Sequence, residues 1–182
     1  MNFYKEITLK NGKPCILRNA VASDTKEFID YFLLAHSETD FLTTYPEESK
    51  LTLEEEEKFL DAMAESDREI ELVAIVDGKL VASASNSIVR DRIKMRHRAD
   101  FGISVIKEYW GLGIGHALTE RCIEKAKEAG FTQLELEAVG ENEGALSLYK
   151  KLGFVEFGRN PRGFLKKDGT YQELVSMRLE LE

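Results

Sequence analysis

Gly111, Gly113 and Gly115 alternate in the stretch WGLGIGHALTE, directly ahead of a segment with helical periodicity. Glycines placed this way let several backbone N–H groups approach one ligand closely, and the positive end of a helix dipole favours negative charge there. Pyrophosphate is the anion such a site suits best. A tight connection made of small residues is the plainer reading of the same glycines. The preceding stretch, Asp100 to Ile106, is an apolar run suited to a strand. The following one carries Ile114, Ala117, Leu118, Cys122 and Ala126, a spacing that lines one helix face. Strand, turn and helix together would aim the donors.

Two nucleotide-binding patterns do not fit these residues. A P-loop closes its turn with Gly-Lys-Ser/Thr, whereas Gly115 is followed by His116 and Ala117. A dinucleotide fold needs G-x-G-x-x-G directly off the strand. Counted from Gly111, the position of the third glycine is His116, and the strand ends several residues earlier.

A third pattern does fit. Ser104-Val105 followed by Trp110-Gly111-Leu112-Gly113-Ile114-Gly115 resembles the acetyl-CoA motif of the GCN5-related N-acetyltransferase (GNAT) family, whose loop reads Gln/Arg-x-x-Gly-x-Gly/Ala. Trp110 stands where the family usually has Gln or Arg, which removes one polar side chain but leaves the backbone cradle. A second block, from Asn142 through Ala145, Leu148, Tyr149 and Lys151 to Gly153-Phe154, is similar to the family signature Asn-x-x-Ala-x-x-Leu-Tyr-x-Lys-x-Gly-Phe. The resemblance spans about residues 70 to 181 and matches the first third only in outline.

The resemblance implies a fold, a cosubstrate and a reaction. The expected fold is α/β of the α+β type: a mixed central sheet whose two central strands splay into a V, flanked by about four helices. Acetyl-CoA would be held by Gly111, Leu112, Gly113, Ile114, Gly115 and His116 at its pyrophosphate. Ile103, Ser104 and Val105 would receive the pantetheine arm, with a backbone N–H among them polarising the thioester carbonyl. Asn142 would contact the arm or a water while capping its helix, and Tyr149 would serve the departing sulfur. The acetyl group would pass by direct attack to a primary amine, on a small molecule or a protein. Such an amine is mostly protonated at neutral pH, so a base is needed. Asp100 is the first candidate, with Glu137 and Glu173 as alternatives; an ordinary surface carboxylate is the competing reading of Asp100. A CoA-binding sensor without turnover is the alternative function. His116 is equally readable as a solvated first-turn residue.

Composition sets the bounds. The 182 residues are 43% hydrophobic and 32% charged, which suits one globular domain over 1–182 with its cofactor-binding core at about 98–155. The start lacks an apolar signal region, and no run approaches bilayer length. Cys15 and Cys122 form no disulfide framework. A cytoplasmic protein is the expectation. The three histidines have no metal-ligand spacing, so no metal is expected. A net charge of -8 disfavours nucleic acid and anionic membrane as partners; a homodimer is left open. Residues 37 to 71 hold thirteen acids against three bases, while Arg90 to Arg98 holds five cations. Both runs read first as solvated faces; the acidic one would alternatively draw in a cationic acceptor.

Turn and cap signals order the remaining elements. Asn11-Gly12 and Asp77-Gly78 mark hairpins, the first joining Ile7–Leu9 to Cys15–Arg18 and the second joining Glu71–Val76 to Lys79–Ser85. Asp24-Thr-Lys-Glu27 and Thr52-Leu-Glu-Glu55 read as capping boxes. The first opens a helix with Phe28, Phe32 and Ala35 inward, the second a helix with Phe59, Leu60 and Met63 inward. Glu38 to Leu51 between them reads as a mobile loop. Gly130 ends the long helix, and Thr132 to Val139, Phe154 to Phe157 and Tyr171 to Leu181 read as strands, the last two turning at Asp168-Gly169.

Overall fold

The hairpin signals become strands where they are placed. In the computed structural model, which describes residues 3–181, β1 (Tyr4–Thr8) and β2 (Pro14–Asn19) flank Asn11-Gly12. The first two residues and the last of the expected 1–182 span lie outside the described residues. β3 (Ile70–Val76) and β4 (Lys79–Ile88) turn at Asp77-Gly78, with both turn residues at positive φ. Two helices, α1 (Thr25–Ser37) and α2 (Leu53–Glu65), intervene between β2 and β3. Then follow β5 (Arg98–Val105), α3 (Ile114–Glu128), β6 (Gln133–Val139), α4 (Glu143–Lys151), β7 (Val155–Leu165) and β8 (Tyr171–Glu180).

One eight-stranded sheet results, ordered β1-β2-β3-β4-β5-β6-β8-β7. Every neighbouring pair is antiparallel except β5 and β6. That parallel pair is short. Arg98, Ala99 and Asp100 register with Gln133, Leu134 and Glu135, and pairing ends there. Beyond that point β5 stays bound to β4 up to Val105, and β6 stays bound to β8 up to Val139. The two strands therefore part into the expected V, each anchored on its outer edge.

The sheet's two faces differ in chemistry because strand side chains alternate. Ala99 and Phe101 of β5, with Leu134 and Leu136 of β6, are buried; Phe101 meets Tyr149 of α4, and α3 packs on β3, β4 and β5. The opposite face carries Glu71, Ser83, Ser85, Ser87, Asp100, Gly102 and Ser104 across β3, β4 and β5. α1 packs on β4 and α2 on β3, so these helices cover the β3–β4 side of that polar face, with Tyr31 of α1 reaching Ser104 of β5.

Three local expectations are corrected. Asp24 does not form a capping box with Glu27: its carboxylate takes two bonds from Arg18, at 2.6 and 2.7 Å, and one from the Val21 N–H at 2.9 Å. A distant guanidinium outcompetes the local partner. Phe59 is 43% exposed, while Glu56, Leu60 and Met63 supply the buried stripe of α2. With 3.6 residues per turn, 59 falls at the margin of a stripe centred on 56, 60 and 63. The strand expected at Phe154 to Phe157 continues to Leu165, with register shifts on the way. Thr52, by contrast, does cap α2, accepting the Glu55 N–H at 3.2 Å.

Candidate functional site

The inner edge of β5 can be followed bond by bond. Arg98 O accepts from Val89 N–H at 3.2 Å, and Ile106 N–H donates to Val81 O at 2.9 Å. Even-numbered residues of β5 thus turn their backbone groups toward β4. Alternation directs the groups of Phe101, Ile103 and Val105 the other way, into the gap where β6 has withdrawn. Unpaired strand groups of this kind take an added strand or an amide-bearing ligand. Val105 O is already met from the gap side by the Trp110 indole N–H at 2.6 Å. Ser104, expected to serve alongside Ile103 and Val105, turns its backbone to β4 and its hydroxyl to Tyr31 on α1.

The glycine turn lies at the mouth of this gap. Gly111 (φ 74°) and Gly113 (φ 103°) adopt left-handed backbone, and Gly113 is the N-cap of α3. A Cβ built on Gly113 meets nothing within 4 Å, so the space in front of the helix start is open. Leu112 and Ile114 alternate with the glycines; Leu112 O accepts from Lys10 N–H at 3.1 Å and Ile114 is buried. His116 is half-exposed in the first turn, with Nδ1 3.2 Å from Glu120 Oε2.

Gly115 joins the two sequence motifs in space. A Cβ there would lie 3.6 Å from Leu148 of α4 and 4.0 Å from Ile103 of β5. α3, α4 and the free half of β5 therefore meet at one point. Asn142 caps α4 through the Ala145 N–H at 3.2 Å. Tyr149, one helical turn from Ala145, stands edge-on to Phe101 with ring centres 6.1 Å apart. Burial pushes its hydroxyl up to about 12, so it keeps its proton at neutral pH and can donate it.

On the polar face, Asp100 sits at the apex of the V, in the last paired register before the strands part. It lines a cleft of about 350 Å³ with Ser87, Glu135, Glu137, Phe157 and Ser176. Asp100 keeps solvent exposure by area, yet the cleft walls withdraw enough water from its carboxyl to push it up to about 6. Glu135 and Glu137 add to the rise. Glu135 is held by Arg98, whose Nη2 donates at 2.6 Å. Glu137 accepts from the Ser176 hydroxyl at 3.1 Å. Glu173, the third carboxylate considered, is bound to Arg159 at 2.6 Å, and its backbone carbonyl accepts from Gly140 just past the end of β6. The cleft thus gathers Asp100 and Glu137 and leaves Glu173 outside. Sequence spacing gave no sign of Ser87, Phe157 or Ser176, which arrive from strands far apart in the chain.

The loop between α1 and α2 is tied to the segment after β5. Glu38 accepts from the Lys107 N–H at 2.7 Å, and Phe41 stacks near the Trp110 ring with centres 6.5 Å apart. No helix among the described residues is long and apolar enough to cross a membrane.

A parted central strand pair, a left-handed glycine turn opening a helix, and a capped tyrosine helix thus stand side by side. The chain matches the Acetyltransferase (GNAT) family over residues 32–154 and belongs to that family. It is similar to the [ribosomal protein bS18]-alanine N-acetyltransferase of Escherichia coli K12, 32% identical over 54% of this chain and 64% of that protein. The chain spans less than two thirds of the length of the first curated relatives it matches. Among solved structures, a GNAT acetyltransferase from Streptococcus pneumoniae superposes with a TM-score of 0.87 at 32% identity, covering 91% of this chain and 99% of that one. A putative acetyltransferase from Salmonella typhimurium, with its cofactor acetyl-CoA, shares the fold at a TM-score of 0.81 and 20% identity, covering 92% and 94%.

Proposed function

We propose that this chain is an N-acetyltransferase that moves the acetyl group of acetyl-CoA to a primary amine by direct attack in a ternary complex. The observation carrying this reading is the free inner edge of β5, Phe101 to Val105, opening beside the Gly111–His116 turn. When bound, acetyl-CoA supplies an activated acyl group on a good thiolate leaving group. Gly111, Leu112, Gly113, Ile114, Gly115 and His116 would hold its pyrophosphate, and the open space ahead of Gly113 fits that anion. Ile103 and Val105 would pair with its amide-bearing arm, their N–H groups facing the carbonyl that must be polarised. Ser104 positions that strand from behind. Asn142 holds α4, and so Tyr149, at the gap.

Asp100 is the proposed base. Its carboxyl, pushed up to about 6, is ionised at neutral pH yet basic enough to relay a proton from an ammonium. Glu137 across the gap adds negative charge that would favour a cationic acceptor. The relative that acts on a ribosomal-protein alanine shows that a family member can take a protein amine; here the acceptor class is a primary amine. Residues 1–182 would act as one catalytic domain.

The test combines calorimetry with acetyl-CoA and a CoA-release assay on a panel of amino acids, polyamines and peptides. Acetyl-CoA binding with CoA release on at least one amine, its kcat/KM falling as salt rises, is expected. Tight binding without release on any amine would instead favour a CoA sensor. No binding would overturn the reading.

A further inference from the structure

β4 and β5 form a continuous antiparallel ladder, in which Ser83 pairs with Ser104. At that rung a side chain from α1 joins both strands. The Tyr31 hydroxyl of α1 accepts the Ser83 N–H at 2.9 Å and donates to Ser104 O at 2.8 Å. It also meets the Ser104 hydroxyl. A phenol has one proton and two acceptor sites. With the proton on Ser104 O, the lone pairs serve Ser83 N–H and the Ser104 hydroxyl, and the Ser83 hydroxyl lies farther off at 3.4 Å. Tyr31 is 3% exposed, and burial pushes its hydroxyl up to about 12, so the proton stays in place.

The local strand geometry explains why a hydroxyl fits there. β4 carries an extra residue at Val81, between Leu80 and Ala82 in its pairing with β3, and a bulge of this kind sharpens twist and bends the strand. Ser83 follows two residues later. The hydroxyl bonds the strands just beyond this bend. On the opposite edge, the same length of β5 has no partner strand among the described residues, because β6 has withdrawn beyond Asp100. The free half of β5 is therefore located by Tyr31 at Ser104 and by the Trp110 indole at Val105.

We infer that Tyr31 is a positioning residue for acetyl transfer: its hydroxyl, bonded to both β4 and β5, sets where the Ile103 and Val105 N–H groups stand in the cofactor gap. Removing it deprives Ser83 N–H and Ser104 O of their common tie to α1. That would free β5 to shift and carry the polarising N–H groups away from the acyl carbonyl. The inference rests on the acetyl-CoA reading above.

The experiment is isotope-edited infrared spectroscopy of acetyl-CoA labelled with ¹³C at the thioester carbonyl, which needs no acceptor. Bound to the unaltered chain, the carbonyl band should move to lower frequency, reporting polarisation by N–H donors. Tyr31→Phe keeps the ring on Phe28 and removes only the hydroxyl. The variant should lose at least half of the band shift, and turnover should fall about tenfold at saturating acetyl-CoA, a fraction of the effect of deleting an oxyanion donor. Ser104→Ala, which keeps both bonds of the strut, should retain most of the shift. An equal shift in Tyr31→Phe and the unaltered chain would overturn the inference while leaving the acetyltransferase reading standing. Failure of the unaltered chain to bind acetyl-CoA would overturn both. If Tyr31→Phe proves unstable, the Tyr31 hydroxyl proton in the unaltered chain decides: slow exchange with solvent supports the strut, and rapid exchange removes it.

Discussion

The two flanks of the V in the sheet are built by different means. The flank proposed to hold the cofactor is mostly backbone: the Ile103 and Val105 edge, the Gly111–Gly115 turn and the first turn of α3. The flank proposed to receive the acceptor is side chains: Asp100, Glu135 and Glu137, with Ser87, Ser176 and Phe157 around them, drawn from five strands. A backbone site must be encoded in one contiguous stretch, because dihedral angles and helix starts are local properties. A side-chain site needs only convergence, which the sheet supplies through its register. On the proposed reading, the first flank serves the donor and the second the acceptor.

That difference is sharpest in a change confined to the cofactor flank. Gly113 has φ 103°, a conformation that side-chain-bearing residues rarely adopt, and it faces open space. Gly113→Asp would add strain and place a negative charge in front of the helix start. We expect acetyl-CoA affinity to fall by on the order of 100-fold or more, equivalent to roughly 3 kcal/mol. Circular dichroism should show the fold retained. Unchanged affinity in the folded variant would put the pyrophosphate elsewhere.

The acceptor flank should respond in rate and pH dependence instead of donor affinity. A carboxyl pushed up to about 6 acts as a base only when ionised, so kcat/KM for the best acceptor should decline as pH drops through about 6. Asp100→Asn should remove that limb and cost roughly 10²-fold in kcat. Acetyl-CoA binding should be nearly unchanged. A variant that keeps both its rate and the acid limb would show that another group takes the proton.

The same contrast explains how much was legible in the sequence. The glycine turn, the Asn142 cap and the Tyr149 helix are local, and they lie where their motifs indicate. The element pattern indicated a mixed sheet, and the splayed central pair was what the family resemblance implied; the parallel pairing of β5 and β6 agrees with the helix that crosses between them. Non-local competition was invisible. Arg18 claims Asp24 from six residues away, Glu56 turns inward beside Phe59, and the Tyr31 hydroxyl bonds residues 52 and 73 positions distant. Each depends on which elements pack together, and no spacing along the chain records that.

Tyr149 lies on the seam between the flanks, and its effect should be no larger than that of Asp100. It belongs to the second contiguous motif, yet its ring rests on Phe101, the first β5 residue beyond the paired registers. Tyr149→Phe preserves the contacts with Phe101 and Phe154 and removes only the hydroxyl. Affinity for acetyl-CoA should hardly change. A hydroxyl pushed up to about 12 is a weak acid, so it would assist a departing thiolate mainly by hydrogen bonding and late proton transfer. General-acid contributions run roughly 10²- to 10⁴-fold, and a thiolate needs little help, so a loss in kcat near the low end is expected. The discriminating measurement replaces acetyl-CoA with an acyl donor whose thiol is more acidic. If Tyr149 serves the leaving group, the penalty of Tyr149→Phe should shrink as the thiol becomes more acidic. A penalty independent of thiol acidity would mean that Tyr149 supports the cleft by packing alone.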